Sequence, residues 1–169
     1  TNGAVTISPD EPTRQEFARL VAREKELLQI LDEDKSLPGT MKDGHKVRLM
    51  ANVHPGVPMS NLKTFGAEGI GLYRSEYLWL NGSQEPTEQE QARAYGTAVR
   101  AMGRGAPVTI RVLDIGGDKL VRGVNLHEAN PFLGNRSIRY LLSHREVFRT
   151  QLRAILRASA FGRVDVMYP

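Results

Sequence analysis

No cysteine occurs among the 169 residues. That excludes a disulfide framework, thiol catalysis and any Cys-ligated zinc within them, so packing must hold the fold. Long apolar runs are missing too: none approaches the ~18–20 residues that a membrane-spanning helix needs. The opening Thr1-Asn2-Gly3-Ala4 carries neither the basic start nor the apolar block of a signal peptide. A cytoplasmic location is the expectation. The GxxxxGK[ST], GxSxG and HExxH patterns are absent, which leaves triphosphatase, serine-hydrolase and zincin chemistry without their usual parts. His45, His54, His127 and His144 lie too far apart to form a two-histidine metal motif, so structural or surface roles are expected for all four.

What is present is the usage of a globular domain, 40% hydrophobic and 25% charged. The net charge of +4 is unevenly spread. Residues 1–43 hold 6 Lys/Arg against 9 Asp/Glu, whereas residues 44–169 hold 17 against 10. A basic second part suits an anionic partner: a phosphorylated metabolite, a nucleic acid or an acidic protein surface.

The pattern along the chain divides it in three. Residues 1–9 read as a short apolar strand stopped by Pro9. Pro12-Thr13 followed by Glu16 has the form of a capping box, and Phe17, Leu20, Val21, Leu27, Leu28 and Leu31 recur at helical spacing. This predicts a linker helix over about 14–32 within residues 10–42. From residue 43 onward short apolar runs alternate with helical segments, the mark of βα units on a parallel sheet. Strands are expected at Val47–Val53, Ile70–Tyr73, Val108–Leu113 and Val164–Tyr168. Helices are expected at Met59–Phe65, from Pro86 to near Gly103, and over about 135–160 with a break near Ser143-His144. The fold class is therefore α/β. Four such units make either an open sheet or half of an eight-stranded (β/α)8 barrel.

Candidate chemistry gathers where strands end. Arg74 and Glu76 follow the second strand, where parallel α/β folds bind ligands; from position alone they equally well pair with each other. Arg111 lies inside an apolar strand, so it needs a carboxylate or a bound anion, and Asp114 is available. Gly116 and Gly117 allow close backbone approach, with Lys119 as a movable cation. Arg136 sits at a helix start after Asn130-Pro131 and Leu133-Gly134. Planar guanidinium forks at one rim suit a guest carrying both phosphate and carboxylate. Arg145, Arg149, Arg153 and Arg157 form a second basic set beside an apolar stripe of Phe148, Leu152, Ile155 and Leu156. With no aromatic platform or base-reading motif, a solvated or paired role is the better reading for these four.

The segments GAEGIGLYRSEYLWL, PTEQEQARAY, RVLDIGGDK, NPFLGNRSIR and REVFRTQLRAILRASAFG, in this order, resemble the phosphoenolpyruvate (PEP)-binding domain of the Enzyme I family of bacterial PEP–protein phosphotransferases. The resemblance runs from about Asp43 to Pro169. It implies that residues 43–169 are the N-terminal half of a TIM (β/α)8 barrel and that residues 1–9 are the last strand of a phosphohistidine domain. It also implies that Arg74, Arg111, Lys119 and Arg136 bind PEP. Ser75 stands where the family has Thr, and Asn135 where it usually has an aromatic residue. The family's phosphorylated histidine, its Mg2+-binding Glu and Asp and its catalytic Cys have no counterpart here. The resemblance thus implies a piece without turnover of its own, taken from a homodimeric, Mg2+-dependent enzyme that phosphorylates its own histidine and then a carrier protein in sugar uptake. The rival expectation is a non-catalytic basic module for nucleic acid or an acidic protein, with the 145–157 arginines as its contact.

Overall fold

Four parallel strands in the order β1-β2-β3-β4 frame residues Pro38–Pro169, one of two units into which the chain divides; the other is Thr1–Leu37. The computed structural model describes residue 3 and residues 5–82, 84–116 and 133–169.

In the first unit, helix α1 (Glu11–Asp34) begins about three residues earlier than the periodicity predicts. Its cap is Asp10, not Thr13: the Asp10 carboxylate accepts the Thr13 amide at 3.0 Å. Pro12 falls in the first turn, where its missing N–H is not needed. No α1 residue is buried, and Phe17 is 68% exposed. Its order is local, from the cap and from i,i+3 pairs such as Arg19–Glu16 at 2.9 Å. Among the described residues before it none joins a ladder, and a lone strand has no neighbour for its backbone groups.

The second unit follows the predicted alternation with shifted ends. Strand β1 (Met50–Val53) starts late because residues 39–47 turn back on themselves, the Val47 amide donating to the Gly39 carbonyl at 2.7 Å. A single 3-10 turn (Met59–Asn61) replaces the predicted Met59–Phe65 helix. Strand β2 (Gly69–Arg74) packs tightly on its neighbours: a Cβ at Gly69 would lie 2.6 Å from the Pro107 carbonyl oxygen and 2.7 Å from the Met50 side chain. A short helix α2 (Tyr77–Leu80), which the sequence reading does not contain, tucks Trp79 inside.

Helix α3 (Glu88–Met102) opens with a complete capping box between Thr87 and Glu90 and buries Ala92, Tyr95, Ala98, Val99 and Met102. Strand β3 spans Val108–Arg111, helices α4 and α5 span Ser137–Ser143 and Arg145–Ser159 with the expected break, and β4 spans Val164–Met167. One position of the predicted α5 stripe is wrong: Leu156 is 69% exposed. It lies one residue, about 100° of helix, beyond Ile155, and the buried face is Gln151, Ala154, Ile155 and Ala158.

Consecutive strand order with right-handed crossovers puts every connecting helix on one face of the sheet. Helices α3 and α5 accordingly pack against each other. Along β3, Val108 and Ile110 are buried toward the core while Thr109 and Arg111 alternate with them and are only half-buried. Each large apolar side chain in that core contributes roughly 1.5–3 kcal/mol. The charged residue of β3 therefore faces away from the helices, where the site lies.

Candidate anion-binding site

The register of the parallel ladder pairs Arg74 of β2 with Arg111 of β3. Residues in register project from the same face, so the two guanidiniums leave the sheet at the same level, at the strands' C-terminal ends. Both reach one carboxylate: Arg74 Nε donates to Glu76 Oε1 at 3.2 Å, and Arg111 Nη2 donates to the same oxygen. Glu76 is fully buried, a position a carboxylate occupies only with cations beside it.

Arg111 is shared with a second carboxylate. Its Nη2 lies 3.2 Å from Asp114 Oδ2, while Asp114 Oδ1 accepts from Arg136 Nη2 at 3.2 Å and from the Ser137 hydroxyl. Three guanidiniums and two carboxylates thus form one continuous series, Arg74–Glu76–Arg111–Asp114–Arg136. Close approach of the last member depends on Gly116, at φ +120°, where a Cβ would sit 2.5 Å from the Arg136 Cβ. The Ser137 amide donates to the Ile115 carbonyl at 2.9 Å and ties the start of α4 to the loop after β3.

Among the described residues the series carries one more cation than anions, and it is reachable. The side chains of Arg74, Arg111 and Arg136 are 33%, 15% and 19% exposed, enough for a solvent-borne anion to touch each. The buried Nε of Arg111 has no hydrogen-bond partner among the described residues. Tyr77 shapes the edge: the Arg74 guanidinium carbon lies 4.8 Å from its ring centroid, and His54, just past β1, stacks on it at 4.4 Å. A nearby cleft of about 540 Å³ is lined by Pro55, Tyr77, Glu85 and Glu90 with no lysine or arginine, the wrong sign for an anion.

Of the residues the sequence singles out, Arg74, Arg111 and Arg136 come together, and Lys119 lies outside the described residues. Three of the four arginines of the second basic set are occupied elsewhere: Arg153 Nε and Arg157 Nη1 hold Glu88 at 2.7 and 2.9 Å, and Arg149 holds Glu146 at 2.9 Å. Among the described residues no group of three or more His, Asp or Glu is placed to hold a metal ion.

The sequence reading misses the layer beneath. Ser75 donates to the Arg111 carbonyl at 2.6 Å, and the buried amide of Gln151 donates to Ser75 Oγ at 3.1 Å and to the Tyr95 hydroxyl at 3.2 Å. Burial pushes the Tyr95 and Tyr73 phenols well above their ordinary range, so both stay protonated. The available signal was Gln151 itself, a polar residue in line with Ala154, Ile155 and Ala158 on the packed side of α5.

Comparison with known proteins shows the family of the chain. Residues 29–169 match the family described as PEP-utilising enzyme, PEP-binding domain. The chain is 46% identical over 169 residues to the phosphoenolpyruvate-protein phosphotransferase of Haemophilus influenzae, covering 99% of this chain and 29% of that protein. It is 42% identical to the Bacillus subtilis protein of the same name and 43% identical to that of Staphylococcus carnosus, covering 99% of this chain and 30% and 29% of those proteins. The chain thus spans about three-tenths of the length of these curated relatives.

Proposed function

The chain belongs to the PEP-utilising enzymes, in their PEP-binding domain, and we propose that Arg74, Arg111, Lys119 and Arg136 bind the phosphate and carboxylate of PEP. The observation that carries this reading is the joining of Arg74 and Arg111 through one oxygen of Glu76. Two guanidiniums already fixed at one level give up little freedom on closing round a dianion. The carboxylates between them keep the cluster from self-repulsion when no ligand is bound.

Residues 43–169 then form the N-terminal half of a (β/α)8 barrel, supported by the consecutive parallel order and the one-sided helices. The face carrying Thr109 and Arg111 is the interior of that barrel. Residues 10–42 are its linker, and 1–9 the last strand of a phosphohistidine domain. The whole protein is a cytoplasmic, homodimeric PEP–protein phosphotransferase. It takes the phosphoryl group onto its own histidine and passes it to a phosphocarrier protein in sugar uptake.

Mg2+ in that enzyme would neutralise charge on the phosphoryl group. Among the described residues no group of three or more His, Asp or Glu is placed to hold it. The role left to these residues is to hold PEP and stabilise charge. Phosphoryl transfer also needs an acceptor, so the 169 residues alone bind without turnover.

The test is a PEP titration followed by the fluorescence of Trp79, the single tryptophan, three residues from Glu76. Arg74→Ala and Arg111→Ala should each abolish the response, while Arg153→Ala and Arg157→Ala leave it intact. The reverse pattern would favour the rival basic module, and phosphoryl transfer from PEP by this chain alone would sink the claim of binding without turnover.

A further inference from the structure

We propose that Gln151 of α5, acting through Ser75, is a positioning residue for Arg111; the inference rests on the anion-binding reading above. Its basis is a directed series of buried hydrogen bonds behind the site. The Leu113 amide, which can only donate, meets Gln151 Oε1 at 2.9 Å. That fixes which way the side-chain amide is turned. Gln151 Nε2 must then supply both neighbours, Ser75 Oγ at 3.1 Å and the Tyr95 hydroxyl at 3.2 Å.

Each hydroxyl, having accepted, directs its own hydrogen onward. Ser75 donates to the Arg111 carbonyl at 2.6 Å, and Tyr95 donates to Gln91 Oε1 at 3.2 Å. Gln91 Nε2 closes the series on the Pro86 carbonyl at 2.9 Å. Gln151 and Ser75 are both 0% exposed, so water offers no substitute partner.

The geometry is more specific than general packing. One glutamine reaches the backbone on both flanks of the anion-binding strand end, the Arg111 carbonyl through Ser75 and the Leu113 amide directly. The ladder register between β2 and β3 ends at Arg74 and Arg111, so beyond that pair these side chains take over from strand pairing. Ser75 also lies between Arg74 and Glu76, so the same bond sets the approach of the carboxylate that joins both guanidiniums. Helix α5, whose arginines serve no ligand in this reading, thereby gains a role in the site.

The test uses this chain with Ser75→Ala, Ser75→Thr, Gln151→Met and, as a packing control, Ile155→Val. The readouts are hydrogen exchange at the Arg111 Nε–H, followed by 15N NMR and assigned by its loss in Arg111→Lys, and PEP affinity measured well below each variant's melting temperature. Ser75→Ala and Gln151→Met should speed that exchange and weaken PEP about tenfold, the scale of one lost buried hydrogen bond. Ser75→Thr, which keeps the hydroxyl, should retain both properties, and Ile155→Val should lower stability while moving neither. Should Gln151→Met fail to fold, the Ala and Thr variants of Ser75 decide alone. Unchanged Arg111 exchange in Ser75→Ala, or equal loss of affinity in Ile155→Val, overturns the proposal. If Arg111→Ala leaves PEP affinity intact, the anion-binding reading falls, and the exchange data still judge the positioning claim.

Discussion

Helices α1 and α3 both carry apolar residues at helical spacing, and both start from a capped first turn. In α3 the spaced positions Tyr95, Ala98 and Val99 are fully buried; in α1 the corresponding Leu20, Leu27, Leu28 and Leu31 are each more than half exposed. Spacing therefore reports that a segment is helical and which face is apolar, while burial depends on what stands opposite. The α3 stripe meets a sheet and a neighbouring helix, and its interior positions include Gln91, which no solvent-facing stripe would require. The α1 stripe is held by its cap and by pairs between exposed charges, the pairs worth only a few tenths of a kcal/mol each.

The sharpest way to break this contrast is to truncate one apolar residue on each side of it. Ile110→Ala, at a fully buried β3 position, should cost about 2–5 kcal/mol through lost transfer energy and the cavity left behind. Leu28→Ala, 57% exposed on α1, should change stability by no more than about 0.5 kcal/mol. Urea unfolding followed by circular dichroism reports both units, and Trp79 fluorescence reports the second. A cost above ~2 kcal/mol for Leu28→Ala would mean that the α1 stripe is covered in solution, and the comparison would fail.

Removing the caps sharpens the same contrast at smaller magnitude. Asp10→Ala and Thr87→Ala each delete a side chain that accepts from an N3 amide, a loss of about 1 kcal/mol. For α3, packed into the core, the loss should lower the midpoint of the cooperative transition. For α1 it should instead appear as faster amide exchange confined to residues 13–16, with the sheet unit's midpoint unchanged.

The parts of the fold legible in the sequence are those set by nearest neighbours along the chain. The α3 face, the break at Ser143-His144 and the alternation of strand and helix follow from periodicity and local breakers. Strand ends are less legible because they depend on distant partners: β1 loses Val47 to a bond with Gly39, and the amide of Leu113, expected in β3, goes to Gln151. At the site, the need of Arg111 for a carboxylate was readable from an arginine inside an apolar strand. That Glu76 supplies it as well as Asp114 was not, since 35 residues separate the pair. Ser75 and Gln151 stand further apart still, so no local rule joins them.

The smallest expected effect lies in the charges of the two units. Glu88 bridges α3 to α5, and its carboxyl is held below the usual carboxylate range first by the Arg153 hydrogen bond and then by Arg157. Asp10 is likewise held low, by its bonds to Thr13, but within α1 alone. A carboxyl whose folded pKa is depressed adds stability that is present above its unfolded value and lost as pH falls through the folded one. For Glu88 the loss therefore begins below the unfolded reference of 4.5. Glu88→Gln should be less stable than the parent at neutral pH, with the gap closing as pH drops below that point. The bridge is exposed, so about 1 M salt, where charges are screened beyond ~3 Å, should shrink the gap as well. Asp10→Asn over the same range should alter only the helical signal of α1. If the Glu88→Gln gap instead stays constant into acid, the Glu88 bridge adds no stability by virtue of its charge, and apolar burial alone distinguishes the sheet unit from α1.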